Sequence, residues 1–384
     1  MSALRVCCGT LVCLVGATLV SVPLGSLVAE RGVTHPLAPA GSSTAGSPDD
    51  LVQQVVVISV DGLNPAAIRK LRRDGTPAVH KMMRRGAWTL NARTEVGLTT
   101  TLPNHTGMLT GRRIEGTRGH HVDLNTDPGG SIHRRAGHYV SSVFDVVHNH
   151  GGSTRLYAMK DKFVLFDRSW NARHGAPDRS GANDGRDKID HFVIGSADKL
   201  TDTLVRRLRR SPDRLSFLHL AHPDVAGHKH GFMSAAYLRA VRRADHQVGR
   251  ILRSVQASPR LRRHTTVILT ADHGGRGSHH ANPASRHNYT VPFLVWGASV
   301  ARGRGLYSLN PDRLRPSTGR PGNSGKQPVR NAEVANLVSD LLDIPRVPGS
   351  KFDRAMDLDV HGPPPDGARL PSAARCFVNS SVSQ

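Results

Sequence analysis

Aromatic rings and cysteines are scarce in this chain of 384 residues, and acidic residues are well outnumbered by basic ones. Phe, Trp and Tyr together make up 4% of the sequence, too few for the stacked platforms that hold single-stranded nucleic acid. The four cysteines are Cys7, Cys8, Cys13 and Cys376. Three of them share one apolar segment at the start, so removal of that segment would leave Cys376 alone and exclude an internal disulfide. There is no CxxC pair to build a thiolate zinc site. Self-similarity of the solenoid kind is also absent.

What is abundant is positive charge. Lys and Arg number 52 against 30 Asp and Glu, a net charge of +22. Such a balance favours anionic partners: polyphosphates, acidic polymers, nucleic acid or an anionic membrane surface. Much of it lies in scattered pairs (Arg206-Arg207, Arg209-Arg210, Arg242-Arg243, Arg262-Arg263) that read as solvated faces of amphipathic helices. Hydrophobic residues at 38% and dispersed Gly and Pro describe a globular middle.

Residues 1–29 carry Arg5 followed by a nearly unbroken apolar run. This is the pattern of an export signal, and its length of about 20 residues also suits a membrane-spanning anchor. Either reading places the body of the protein outside the cytoplasm, secreted or held at the cell surface. Residues 30–50 are rich in Ala, Gly, Ser and Pro and read as a flexible linker. A catalytic domain is expected over 51–345, with an irregular tail over 346–384.

The core opens with Gln54 to Val60, a continuous β-branched run of the kind buried on both faces of a sheet. Helices are predicted from about Pro65 to Leu71 and over 76–85, and a strand over 88–94. Further along, Ile194 to Arg210 predicts an amphipathic helix, Leu215 to Leu220 a strand, Ala235 to Ser254 a long helix, and Thr265 to Thr270 a strand. A strand over 291–296 and a helix over 334–342 close the domain. Residues 118–190 are polar and weakly periodic, and read as strands, helices and long loops around the mouth of a site, with room for a small insertion.

Three of these strands lead into an aspartate: Asp61, Asp224 and Asp272. Ligands of open α/β sheets bind at the carboxyl ends of strands. Three carboxylates brought to one sheet edge repel one another unless a cation sits among them. His228 lies four residues after Asp224, on the same face of a helical turn, and His273 follows Asp272 directly. Carboxylate and imidazole together suit zinc, and manganese or iron less specifically. Upstream, Thr101-Leu102-Pro103-Asn104-His105 places Thr101 at the start of a short helix, where unpaired N–H groups favour a phosphate.

The pieces Val-Asp-Gly (60–62), Thr-Leu-Pro-Asn-His (101–105), Pro-Asp-x-x-Gly-His-x-x-Gly (223–231) and Thr-Ala-Asp-His-Gly-Gly (270–275) resemble the alkaline phosphatase superfamily. Most closely they are similar to its type I phosphodiesterase/nucleotide pyrophosphatase branch, over roughly residues 52–345. The resemblance implies a three-layer α/β/α sandwich around a largely parallel sheet, with two zinc ions. It implies Asp61, Thr101, Asp272 and His273 on one metal, and Asp224, His228 and a later histidine on the other. Gly-x-Gly-x-x-His (275–280) makes His280 the choice, with His279 and His287 as alternatives. It also implies Asn125 on a phosphate oxygen, although His121 stands nearby where the family commonly has Gly. Lys160 and Lys162 are further candidates for substrate contact. The Cys or Ser followed by x-Pro-x-Arg that formylglycine sulfatases require is missing at 101–105.

The expectation is an exported hydrolase that uses two divalent metal ions. It would cleave small-molecule phosphodiesters or nucleotide pyrophosphates through a phospho-threonine at Thr101. A phosphomonoesterase on the same site is one alternative. A non-catalytic, surface-tethered binder of polyanions is the rival from another class.

Overall fold

A computed structural model describes residues 51–178 and 185–361. The expected signal segment, the linker, all four cysteines and residues 362–384 of the expected tail lie outside the described residues. Among the described residues no helix is long and apolar enough to cross a membrane.

The strands are β1 (Gln54–Val60), β2 (Gly86–Arg93), β3 (Thr154–Ala158), β4 (His191–Ile194), β5 (Leu215–Leu220), β6 (Thr265–Thr270), β7 (Thr290–Gly297) and β8 (Arg304–Gly305). They form one sheet in the order β4-β3-β5-β1-β6-β7-β2-β8. Only β7 runs against its neighbours; the other pairings are parallel. The helices up to the middle of the chain are α1 (Pro65–Gly75), α2 (Pro77–Arg85), α3 (Thr101–Thr110), α4 (Ile132–Ala136), α5 (Val143–His148) and α6 (Val164–Trp170). The remainder are α7 (Ala197–Arg210), α8 (His222–His230), α9 (Ala235–Ala257), α10 (Pro259–His264), α11 (Arg286–Tyr289), α12 (Leu306–Leu309) and α13 (Val334–Leu341). Helices α1, α2, α7, α8, α9 and α10 pack together, while α3, α5 and α13 form a second group. The fold is therefore a mostly parallel sheet with flanking helices, as in alkaline phosphatases.

Physical chemistry explains the frame. Every residue of β1, β5 and β6 is buried, which is why these strands carry near-continuous runs of apolar residues instead of alternating. The long helix α9 buries Leu238, Val241, Val248, Ile251, Leu252 and Val255 and leaves Arg242 and Arg243 in solvent, a stripe at the 3.6-residue period. Ser234 caps its first turn by accepting from Tyr237 N at 3.2 Å.

The sheet order fixes the function-bearing edge. Strands β5, β1 and β6 are adjacent and parallel, so their carboxyl ends emerge side by side. Asp61 follows β1, Asp224 lies in the first turn of α8 just after β5, and Asp272 follows β6. Gly62 permits this convergence. It adopts φ 70°, and a Cβ there would stand 3.0 Å from Asp224 Cα, closer than packed carbon atoms approach.

One expectation from the sequence needs correction. Ile194 does not begin a helix: it ends β4, and α7 starts at Ala197 behind the Ser196 cap. The strand is short and half-buried, which left no apolar run to read. The polar stretch 118–190 contributes β3, which lies between β4 and β5, second from one edge of the sheet. Residues 346–361 lack regular structure and bury Val347, Phe352, Leu358 and Val360. Asn336 anchors them, donating to Phe352 O at 2.8 Å and accepting from Val347 N at 2.9 Å.

Candidate metal centre

Asp61 is fully buried. Its Oδ2 accepts from Lys160 Nζ at 2.6 Å and faces His219 Nε2 at 2.9 Å. Burial alone would raise its pKa, but Lys160 and His219 outweigh that and hold it well below the usual carboxylate range. Asp272 Oδ1 accepts from Gly62 N at 3.1 Å and His273 N at 2.9 Å. Burial, reinforced by repulsion from Asp61, pushes Asp272 well up. Asp224 Oδ2 accepts from Lys160 Nζ at 2.7 Å. One ammonium thus bridges two carboxylates, and the three carboxylates hold it protonated against the cost of its own burial.

The histidines are oriented by backbone carbonyls. His273 Nδ1 contacts Gly274 O at 2.8 Å, His280 Nδ1 contacts Thr99 O at 2.7 Å, and His228 Nδ1 contacts Ser278 O at 2.9 Å. A carbonyl only accepts, so each Nδ1 carries the proton and each Nε2 presents a lone pair. These lone pairs converge on one another and on carboxylates. His228 Nε2 and His280 Nε2 are 3.0 Å apart. His273 Nε2 lies 3.2 Å from Asp272 Oδ2 and 3.4 Å from Asp61 Oδ1. Burial lowers the pKa of His273, and burial followed by the presence of His273 brings His280 to about 3. The His273 and His280 rings are therefore neutral.

Two clusters result: Asp61, Asp272 and His273, and Asp224, His273 and His280, with the ligand atoms of each within 4.8 Å of one another. His228 joins the second from the exposed lip, its Nε2 3.4 Å from Asp224 Oδ1. Asp61 Oδ1, Asp224 Oδ1, Asp272 Oδ2, His273 Nε2 and Thr101 Oγ1 are all buried without a hydrogen-bond partner. Buried orphans of this kind are costly. Anionic oxygens facing neutral lone pairs need a cation, and carbonyl-fixed imidazoles are how metal ligands are held. The residues fit a two-metal site. His279 and His287 are both exposed, whereas His280 is buried at the cluster.

Thr101, Asn125, Lys160, Lys162, Asp224 and His228 line a cavity of about 490 Å3 over these clusters. Thr101 is the first residue of α3. Asn125 Oδ1 accepts from Leu102 N at 3.2 Å and from Lys162 Nζ at 3.1 Å. Its carbonyl side is thereby committed, which leaves its NH2 group as the free donor.

Further residues support the site from behind. His105 is buried with one ring nitrogen 2.8 Å from Ser59 Oγ and the other 2.8 Å from Thr101 O, pinning the first turn of α3. Asn331 donates to Asn104 Oδ1, Ala271 O and Asp272 O, tying α3 to the end of β6. His105 carried a signal, being four residues after Thr101. His219 and Asn331 carried none, since neither sits in a motif.

His120, next to His121, is fully buried, and burial followed by repulsion from His121 and Arg112 lowers its pKa from 6.5 to about 3. Across that window the unfolded chain binds a proton that the folded chain refuses. The contribution to stability is full above about pH 6.5 and is lost as pH falls, at up to about 1.4 kcal/mol per pH unit. In chelator-treated protein, urea unfolding between pH 4 and 6.5 (roughly this window) should give a shallower pH slope for His120→Asn than for the parent. Equal slopes would remove His120 from the acid response. His121 itself holds φ 51°, a left-handed conformation that glycine adopts at less cost.

The model of the family described as type I phosphodiesterase / nucleotide pyrophosphatase matches residues 55–118 and 131–311. The chain is 29% identical over 177 residues to GPI ethanolamine phosphate transferase 1 of Yarrowia lipolytica, covering 41% of this chain and 18% of that protein. It is 26% identical over 159 residues to the 2,3-bisphosphoglycerate-independent phosphoglycerate mutase of Trichodesmium erythraeum, covering 39% and 25%. The chain thus spans about a fifth to a quarter of the length of these curated relatives. Among solved structures, murine ectonucleotide pyrophosphatase / phosphodiesterase 5, inactive and in complex with AMP, aligns with TM-score 0.56 at 15% identity. That match covers 80% of this chain and 99% of the other. At such identity the likeness establishes the fold.

Proposed function

The chain belongs to the type I phosphodiesterase / nucleotide pyrophosphatase family, and from that premise we propose that it hydrolyses phosphate esters, diesters or nucleotide pyrophosphates ahead of monoesters, with Thr101 as nucleophile. The observation that carries this reading is the set of orphaned oxygens and lone pairs at the ends of β1, β5 and β6 beneath the unpartnered Thr101 hydroxyl.

Asp61, Asp272 and His273 would hold one cation together with Thr101, and Asp224, His228 and His280 the other. The imidazole and carboxylate donors favour zinc. When bound, such ions supply Lewis-acid charge for the nucleophile, the phosphate oxygens and the leaving oxygen. The protein's own part begins with Thr101 Oγ, placed at the start of α3, which attacks phosphorus in line with the leaving oxygen. The P–Oγ bond forms as the bond to the leaving group breaks, giving a phospho-threonine. Asn125 donates from its free NH2 group to a non-bridging oxygen, and Lys162 keeps the amide turned that way. Water then cleaves the P–Oγ bond and restores the threonine. His105 and Asn331 act as positioning residues that hold α3 over Asp272.

The AMP bound to murine phosphodiesterase 5 is consistent with a nucleotide-like or other small phosphate ester for this chain. The apolar start of the sequence supports export, with the domain secreted or anchored at the cell surface. The test is hydrolysis of bis-p-nitrophenyl phosphate beside p-nitrophenyl phosphate by the zinc-loaded chain. Faster diester cleavage is expected. Faster monoester cleavage would move the function to a phosphatase. No turnover of either, with zinc bound, would favour a polyanion-binding protein.

A further inference from the structure

Beside the cavity over the metal ligands lies a second one of about 380 Å3, between α8 and the start of α9. The two share Val225 and Lys229 as lining residues, so they adjoin along that pair as the near and far parts of a groove. Its far part is strongly basic. Arg239 and Arg243 lie four apart on α9, on one face, while His222 reaches the groove from the start of α8 and Lys229 and His230 from its end.

These cations are not there for one another or for the fold. Among the described residues Lys229, Arg239 and Arg243 form no ion pair and no side-chain hydrogen bond, and all three are exposed. Two like charges at i and i+4 oppose each other by a few tenths of a kcal/mol, so the pairing costs stability when nothing binds. His222 Nδ1 is buried without a partner. The acid that faces His222 is Asp198, and it is engaged by Gln247 at 2.8 Å and Arg250 at 3.5 Å. No other carboxylate lines either cavity except Asp224, which Lys160 holds.

The groove also lacks a ring. No Phe, Tyr or Trp lines either cavity, so a nucleobase would find nothing to stack on. Val225, 56% exposed at the junction, offers an aliphatic surface instead.

We propose that this groove is a second anion subsite, which takes a negatively charged, non-aromatic group joined by an aliphatic linker to the phosphate ester that Thr101 attacks. The proposal rests on the phosphate-ester reading above and narrows its substrate class. The preferred substrate carries two anionic centres: the phosphate at the metal ligands and a second group held by Lys229, Arg239 and Arg243, with the linker across Val225. A lone phosphodiester with uncharged substituents uses only half of the groove.

The test uses the zinc-loaded full chain and two matched series of p-nitrophenyl alkyl phosphates, with linkers of about three, six and nine carbons. One series ends in methyl and the other in sulfonate, an anion with little affinity for zinc. The expected result is a KM at least about tenfold lower for the sulfonate at one linker length. Arg239→Ala with Arg243→Ala should raise that KM to the value of the methyl-ended ester, and Arg239→Glu with Arg243→Glu should raise it further. Arg206→Ala with Arg210→Ala on α7 removes the same charge at a distance and should keep the advantage. Equal KM values at every length, or an advantage that survives the Arg239/Arg243 changes, would overturn the subsite. An advantage lost equally in the α7 variant would assign the effect to net charge and overturn it as well. If the methyl-ended esters are not hydrolysed, or Thr101→Ala hydrolyses them as fast as the parent, the phosphate-ester reading itself fails and the subsite goes with it.

Discussion

Replacing Thr101 with alanine should lower phosphate-ester turnover by on the order of a thousandfold or more, because Thr101 carries the only hydroxyl among the residues that line the cavity. The same change should leave the fold nearly untouched. Thr101 Oγ1 has no hydrogen-bond partner, so its removal strands no group. The carbonyl of residue 101 still meets His105 in the alanine variant, since that contact is to backbone. Alanine also suits a first helical position. Steady-state hydrolysis and thermal unfolding, measured on the same sample, check both halves. Retention of most of the activity would remove Thr101 from the chemistry, whatever the metal content. Thr101→Ser, which keeps the hydroxyl, should recover a large part of the loss.

The second large effect belongs to Lys160. Its ammonium lies 2.6 Å from Asp61 and 2.7 Å from Asp224, in a site that also contains Asp272. Without metal it is the principal counter-charge for these acids. Lys160→Met should destabilise the chelator-treated protein by about 3–5 kcal/mol, the usual cost of leaving a buried charge unpaired. Zinc supplies positive charge to the same carboxylates, so the variant should regain most of that stability on loading. Its zinc affinity should exceed that of the parent, since no ammonium competes for Asp61 and Asp224. Differential scanning fluorimetry with and without zinc, together with a chelator competition, reads out both signs. A metal-free variant as stable as the parent, or one that binds zinc more weakly, would mean that Lys160 supports the metal ligands instead of competing with metal.

Fold and site were legible to different degrees. The buried strands β1, β5 and β6 announced themselves because a strand covered on both faces carries a near-continuous run of apolar residues. Helices α7 and α9 did so because a half-covered helix repeats its apolar residues at 3.6. Strand β4 did not, because four half-buried residues at a sheet edge need no particular pattern. The tail over 346–361 likewise packs through scattered single side chains, each held by contacts that have no period. At the site, the acids and histidines stood out because metal-ligand types cluster at strand ends. The groups that orient them did not stand out, because any side chain that reaches the right atom can serve.

The sequence by itself determined the buried strands β1, β5 and β6, the acidic edge and the identity of the residues that meet there, since those follow from local pattern and from motif. Only the tertiary structure decided what each of them faces. It set His280, buried, apart from the exposed His279 and His287. It fixed the three imidazole tautomers through Gly274, Thr99 and Ser278 carbonyls, and it put Lys160 between Asp61 and Asp224. These are contacts between residues far apart in the chain, and their geometry is set by how strands and helices pack, which no stretch of sequence encodes alone.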